Sequence, residues 1–220
     1  MGERFFVILG DVVSSRKIEF REKLQKSIED ACQKANSNYT QDIYADFKLL
    51  KGTDELGGVL SNITNLFRIL VLLEDSIFPE RIRFAVVLDS IDVGIGSKDI
   101  SKMDGPAFHR ASEYVSELKK TGLLLRLSIE DEIVDSAIEG EINLMFLMRS
   151  KWTGRQRQIA KSYEELHSSL KVATKLGIAH QTVAFTLKRA EWWSLSLIEK
   201  SLNEALLRYQ QSLSRRQDIE

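Results

Sequence analysis

The chain is poor in cysteine, in long apolar runs and in leader-like sequence, and each lack removes a class of protein. One cysteine, Cys32, among 220 residues excludes an intrachain disulfide and fits a reducing compartment. Within the amphipathic helical pattern around it, Cys32 reads as a small buried side chain. The apolar stretch Ile69 to Leu73 is soon followed by Glu74 and Asp75, far short of the roughly 20 residues a membrane-spanning helix needs. Glu3 and Arg4 lead straight into a strand-like run with no small-residue cleavage site, so the expected location is cytoplasmic, with no membrane partner. No internal repeat and no low-complexity segment is visible.

The residues that are present describe an ordinary globular chain, 43% hydrophobic and 29% charged, long enough for one large domain or two small ones. The net charge of −1 hides an asymmetry: residues 151–220 carry 12 basic and 7 acidic side chains, and residues 1–150 carry 19 and 25. A sign change of this kind points to a basic, polyanion-facing module joined to a different one.

Phe5 to Leu9 predicts a buried strand that ends in Gly10-Asp11. Ile18 to Ala35 has helical spacing, Ile43 to Leu50 reads as a strand, and Gly52-Thr53-Asp54-Glu55 as a turn. Leu56 to Ile77 predicts a helix that Pro79 stops, and Arg81 to Ile95 a strand. Asp104-Gly105-Pro106 opens a helix over Phe108 to Lys120, with Pro106 suited to its first position. Leu123 to Ile129 is the last expected strand, and everything after about residue 130 reads as helix. A boundary near residue 150 is marked by a change of both charge sign and element type.

Residues 151–190 hold eight Lys or Arg against two acids and include Lys171 to Ala190, which reads as a helix-turn-helix. Gly177 falls at the tight turn, Ile178, Val183 and Leu187 recur as buried positions, and His180, Gln181, Thr182, Phe185, Lys188 and Arg189 would face outward. Arg155, Arg157, Lys171 and Lys175 are the further cations expected to reach phosphates. The same spacing also suits a surface helical hairpin. Thr153 and Gln156 have capping-box spacing. Leu195, Ile198, Leu202, Ala205, Leu206 and Tyr209 form a stripe on the last helix, which either docks on its own domain or pairs two copies into a homodimer.

Two acids stand out by position: Asp11 ends the first strand and Asp54 lies in the turn after the second. On neighbouring strands they could converge on a divalent cation, with Glu55 as a third oxygen donor, since paired carboxylates and substrate phosphates are what Mg²⁺ prefers. The loop Val12, Val13, Ser14, Arg16 would bring backbone amides and one positive charge to a phosphate. The alternative is that both acids are turn or cap residues, and Arg83 could pair with either of them.

Gly10-Asp11-Val12-Val13-Ser14-Ser15-Arg16-Lys17-Ile18, Gly52-Thr53-Asp54-Glu55-Leu56, Ile82-Arg83-Phe84 and Asp104-Gly105-Pro106-Ala107-Phe108-His109-Arg110-Ala111 resemble, in this order, the motifs of the SatD family. The resemblance runs over most of the chain and includes a C-terminal helix-turn-helix. More distantly, the layout is similar to class III nucleotidyl cyclases and GGDEF domains. That likeness implies a ferredoxin-like palm, Mg²⁺ or Mn²⁺ on Asp11 and Asp54, and a nucleotide whose phosphates lie near Val12 to Ser14. His109 would either face that phosphate pocket beside Arg110 or cap and pack its own helix. The departures weigh against catalysis. Thr53 and Leu56 replace a glycine and an aromatic, and the positions of a cyclase's Asn and transition-state Arg fall on His109 and Glu113. An acid there repels developing phosphoryl charge.

The expected fold is therefore α/β: a ferredoxin-like, cyclase-like palm over residues 1–130, a helical linker over 131–150, and an all-α helix-turn-helix domain over 151–220. The expected function is a DNA-binding regulator whose first domain senses a nucleotide or metal, or serves only as a dimerisation scaffold. The alternative is a divalent-metal-dependent nucleotide-processing enzyme using Asp11 and Asp54.

Overall fold

The apolar run near the N-terminus forms β1 (Arg4–Val12), the middle strand of a five-stranded mixed sheet. The computed structural model describes residues 3–15, 18–50 and 52–217. After β1 come α1 (Arg21–Asn38), β2 (Ile43–Leu49), β3 (Glu55–Leu60), α2 (Leu66–Ser76), β4 (Ile82–Ser90), α3 (Pro106–Thr121) and β5 (Leu125–Ser128). The sheet order is β2-β3-β1-β4-β5, antiparallel except for β4 and β5, which run parallel across the α3 crossover. The remaining helices are α4 (Glu132–Ser150), α5 (Gly154–Leu166), α6 (Ser169–Leu176), α7 (His180–Arg189) and α8 (Trp192–Gln217).

Strand alternation divides β1 cleanly. Phe5 and Val7 join Ala85 and Val87 of β4 and Ala107 and Ala111 of α3 in one apolar cluster. Phe6, Ile8 and Val12, on the opposite face, are equally buried. A sheet covered on both sides explains why the run reads as continuously apolar rather than alternating.

The sequence pattern misplaced one element. Leu56 to Leu60, expected in a helix, belongs to β3, hydrogen-bonded to both β1 and β2. Gly57-Gly58 decides it. Two glycines disfavour helix, and in the strand they permit close approach: a Cβ on Gly58 would lie 2.5 Å from the Phe47 ring, and one on Gly57 would lie 2.8 Å from Leu50.

Both edges of the sheet are met by helix side chains. At β2, Asn36 of α1 donates to the Phe47 carbonyl (3.0 Å) and accepts from its amide (2.8 Å). At β5 the arrangement is more extensive. Asp135, Glu139 and Asn143 lie four residues apart, hence on one stripe of α4. Asp135 accepts from the amides of Ile129 and Glu130, Glu139 from Leu127, and Asn143 from Leu124 and Leu125. The helix stripe thus stands in for a sixth strand, satisfying the open edge that would otherwise template aggregation.

The chain divides into two compact units, Met1–Asn143 with Asn203–Glu220, and Leu144–Leu202. The last part of α8 thus clusters with the sheet rather than with the helices that precede it. Gln210 accepts from the Ile63 amide (3.1 Å), and the Tyr209 hydroxyl donates to the Ile129 carbonyl. Leu195, Leu202 and Leu206 of the expected dimer stripe are buried within the chain, and Ile198 and Ala205 are exposed.

Candidate functional site

In the first unit, three strands bring charge into one row. Asp11 of β1 stands opposite Glu55 of β3 on one side and Arg83 of β4 on the other. Directly opposed residues share a face, so Glu55, Asp11 and Arg83 line up across the sheet. Asp11 is 4% exposed. Its Oδ2 accepts from the Arg83 guanidinium at 2.9 Å, and its Oδ1 lies 3.0 Å from the Lys119 ammonium of α3. Two cations on one buried carboxylate compensate the loss of hydration that burial imposes.

These residues do not fit a divalent cation. Each Asp11 oxygen already faces a positive nitrogen, and the Asp54 carboxylate accepts from the Ser15 hydroxyl. Among the described residues no group of three or more His, Cys, Asp and Glu side chains is arranged to hold a metal ion. The expected phosphate loop is also spoken for. The Val12 amide donates to Asp54 (3.0 Å) and the Val13 amide to Arg81 (2.8 Å), and α1 starts only at Arg21. Ser14 is exposed, with positive φ, and Arg16 lies outside the described residues.

A cleft of about 710 Å³ opens beside this row, with Asp11, Glu55, Ser112, Ser116 and Lys119 supplying polar groups over an apolar floor that includes Leu9 and Phe108. His109 lines it and lies 3.6 Å from Asp104. Arg110 does not line it: its guanidinium is 3.6 Å from Asp89. Lys119 is the residue the sequence reading missed. It sits 108 positions from Asp11 in a chain segment whose charge pattern looks like a solvated helix face.

In the second unit, the Thr153–Gln156 capping box starts α5 as its spacing predicts. Ser168 caps α6 through the Lys171 amide. Gly177 takes φ +63 at the end of α6, and the Ile178 amide returns to the Ala173 carbonyl at 3.0 Å, which ends the helix three residues before α7 begins. Val172 and Ala173 of α6 and Val183 and Leu187 of α7 are buried; Ile178 is only half-buried. Trp152 is buried too, its indole N–H donating to the Ala190 carbonyl at 2.8 Å, beneath the Arg149 guanidinium.

The expected DNA-facing residues separate into three groups. His180, Gln181, Thr182, Lys188, Arg189, Lys171 and Arg155 are exposed. Lys175 is exposed but bonded to Glu165 at 2.7 Å, and its ammonium holds that carboxyl below the usual carboxylate range. Arg157 is a correction. It is 8% exposed and donates to the Arg149 carbonyl at 2.9 Å, a packed residue rather than a surface cation.

The chain is thus a mixed α/β protein with a sheet-based unit and a helical unit. The SatD family model matches residues 5–204, and the chain belongs to the SatD family. A search of curated proteins finds no match. No described helix is long and apolar enough to cross a membrane.

Proposed function

We propose that this SatD-family chain is a DNA-binding regulator in which α6 and α7 form a helix-turn-helix and α7 enters the major groove. One observation carries the reading: a short left-handed turn at Gly177 joins two helices whose facing sides are buried, while the outward side of α7 is exposed and bears no acid. Lys188, Arg189, Lys171 and Arg155 supply the cations that contact phosphates, and Gln181 and Thr182 reach base edges. Two copies of the chain would read two half-sites.

The first unit is the sensing half of this reading. Its strand order and its β-α-β-β-α-β beginning suit a ferredoxin-like palm of the cyclase kind. Its cleft has the volume of a small-molecule site, and a nucleotide is the proposed effector class. The cations on Asp11 disfavour the metal-dependent enzyme, as does Glu113 at the transition-state position. The deciding experiment is fluorescence anisotropy of a labelled duplex with the full chain and with Lys188→Ala/Arg189→Ala. The double substitution should weaken binding at least tenfold; unchanged affinity would remove α7 from the interface.

A further inference from the structure

We propose that Phe185 of α7 reads the C5 methyl group of thymine, so that the chain recognises A·T-containing duplex DNA by an apolar as well as a polar contact. This inference rests on the nucleic-acid reading of α6 and α7. Val183, Leu187 and Ala190 are the buried side of the helix. At 100° per residue Phe185 lies opposite their mean direction, at the crest of the outward face. It is 61% exposed. Gln181 stands one turn before it, and Lys188 and Arg189 one turn after it.

A helix docked in the major groove pushes the crest of its outward face deepest towards the base edges. Here that position is held by a ring that can neither donate nor accept a hydrogen bond. Among the groups the four base pairs display in that groove, the thymine methyl is the apolar one. Gln181, on the same face, matches the adenine N6 and N7 pattern in a bidentate way, so both side chains select the same kind of step. The Arg189 guanidinium lies 5.7 Å from the Phe185 ring centroid. That contact orients the ring before binding and holds a positive charge beside it for the phosphates. An A-form RNA helix offers neither an accessible major groove nor the methyl group, so the same geometry excludes double-stranded RNA.

The test uses the full chain. Duplexes are selected from a random-sequence 20-base-pair pool and resynthesised with deoxyuridine in place of every thymidine, which removes the methyl and nothing else. Affinity should fall about fourfold for each methyl group in contact. Phe185→Ala should bind the two versions equally, and Phe185→Leu should keep a preference for thymidine. Because Phe185 is exposed, both variants should melt as the parent does; the comparison on the unaltered chain stands in any case. Selected duplexes that lack a common A·T step overturn the proposal. So does equal binding of the thymidine and deoxyuridine versions by the unaltered chain, the outcome if the ring serves a protein contact; the nucleic-acid reading of α7 survives both results. Failure to select any duplex overturns that reading, and this inference with it.

Discussion

Asn143→Leu is the substitution that weighs most on the edge of the sheet. The side chain makes four hydrogen bonds: Oδ1 accepts from the amides of Leu124 and Leu125, both at 3.0 Å, and Nδ2 donates to the carbonyls of Leu125 and Glu139, both at 2.9 Å. Leu125 is fully buried and Leu124 is 9% exposed, so water cannot easily replace the lost partners. At about 1 kcal/mol net for each bond, with a further penalty for each buried group left unpaired, the gross loss is about 4–6 kcal/mol. The leucine recovers part of this by burying apolar surface, about 1–2 kcal/mol. A net destabilisation of about 3 kcal/mol follows, or roughly 6–12 °C in midpoint for a chain of this size. Thermal and urea unfolding followed by circular dichroism measure it. Asn143→Asp keeps both acceptor bonds but turns a carboxylate oxygen on the Leu125 and Glu139 carbonyls, and should also be destabilised relative to the parent. A leucine variant within about 0.5 kcal/mol of the parent would refute the role given to the α4 stripe.

Three further outcomes are expected. Arg83→Leu should cost about 3 kcal/mol and Lys119→Met about 1 kcal/mol in urea unfolding, because each leaves Asp11 one cation short while Arg83 is much the more buried of the two. Arg157→Ala should lower stability by about 2 kcal/mol through its lost bond to the Arg149 carbonyl, whereas Arg155→Ala should leave the melting midpoint in place and reduce the salt slope of DNA binding by about 1. Burial pushes the Cys32 thiol up to about 12 from an ordinary 9.0. The protonated thiol is therefore favoured by folding, and its contribution, complete below pH 9.0, fades as the pH rises towards 12. Iodoacetamide at pH 8 should label Cys32 only after unfolding, and rapid labelling of the native protein would contradict its burial.

What the sequence disclosed depended on the range of the interactions involved. The Thr153–Gln156 box, Pro106 at the head of α3 and Gly177 after α6 are local chemistry, and each falls where its spacing predicts. Leu56, Val59 and Leu60 of β3 also suit a helical stripe; the strand is settled by partners on β1 and β2 and by the space Gly58 leaves for Phe47. The charge row behaved likewise. Asp11 and Arg83 could be singled out as candidates, but Lys119 could not, because only the packing of α3 against the sheet brings it to Asp11. The Asp135–Glu139–Asn143 stripe is visible in the sequence as polar spacing. Its meaning lies in backbone amides on another element, which leave no mark on the side-chain pattern.

DNA binding by the helical unit through α7, as proposed above, is tested most directly by the salt dependence of affinity. Lys171, Lys188, Arg189 and Arg155 are the exposed cations assigned to phosphates. With four such contacts for each copy of the chain, a plot of log association constant against log salt concentration should fall with a slope of about −4 for each copy bound. Anisotropy titrations of a labelled duplex between roughly 50 and 200 mM salt give that slope. A slope near −4 that flattens by about 2 in Lys188→Ala/Arg189→Ala is the predicted result. No binding at the lowest salt, or a slope that the double substitution leaves unchanged, would contradict it.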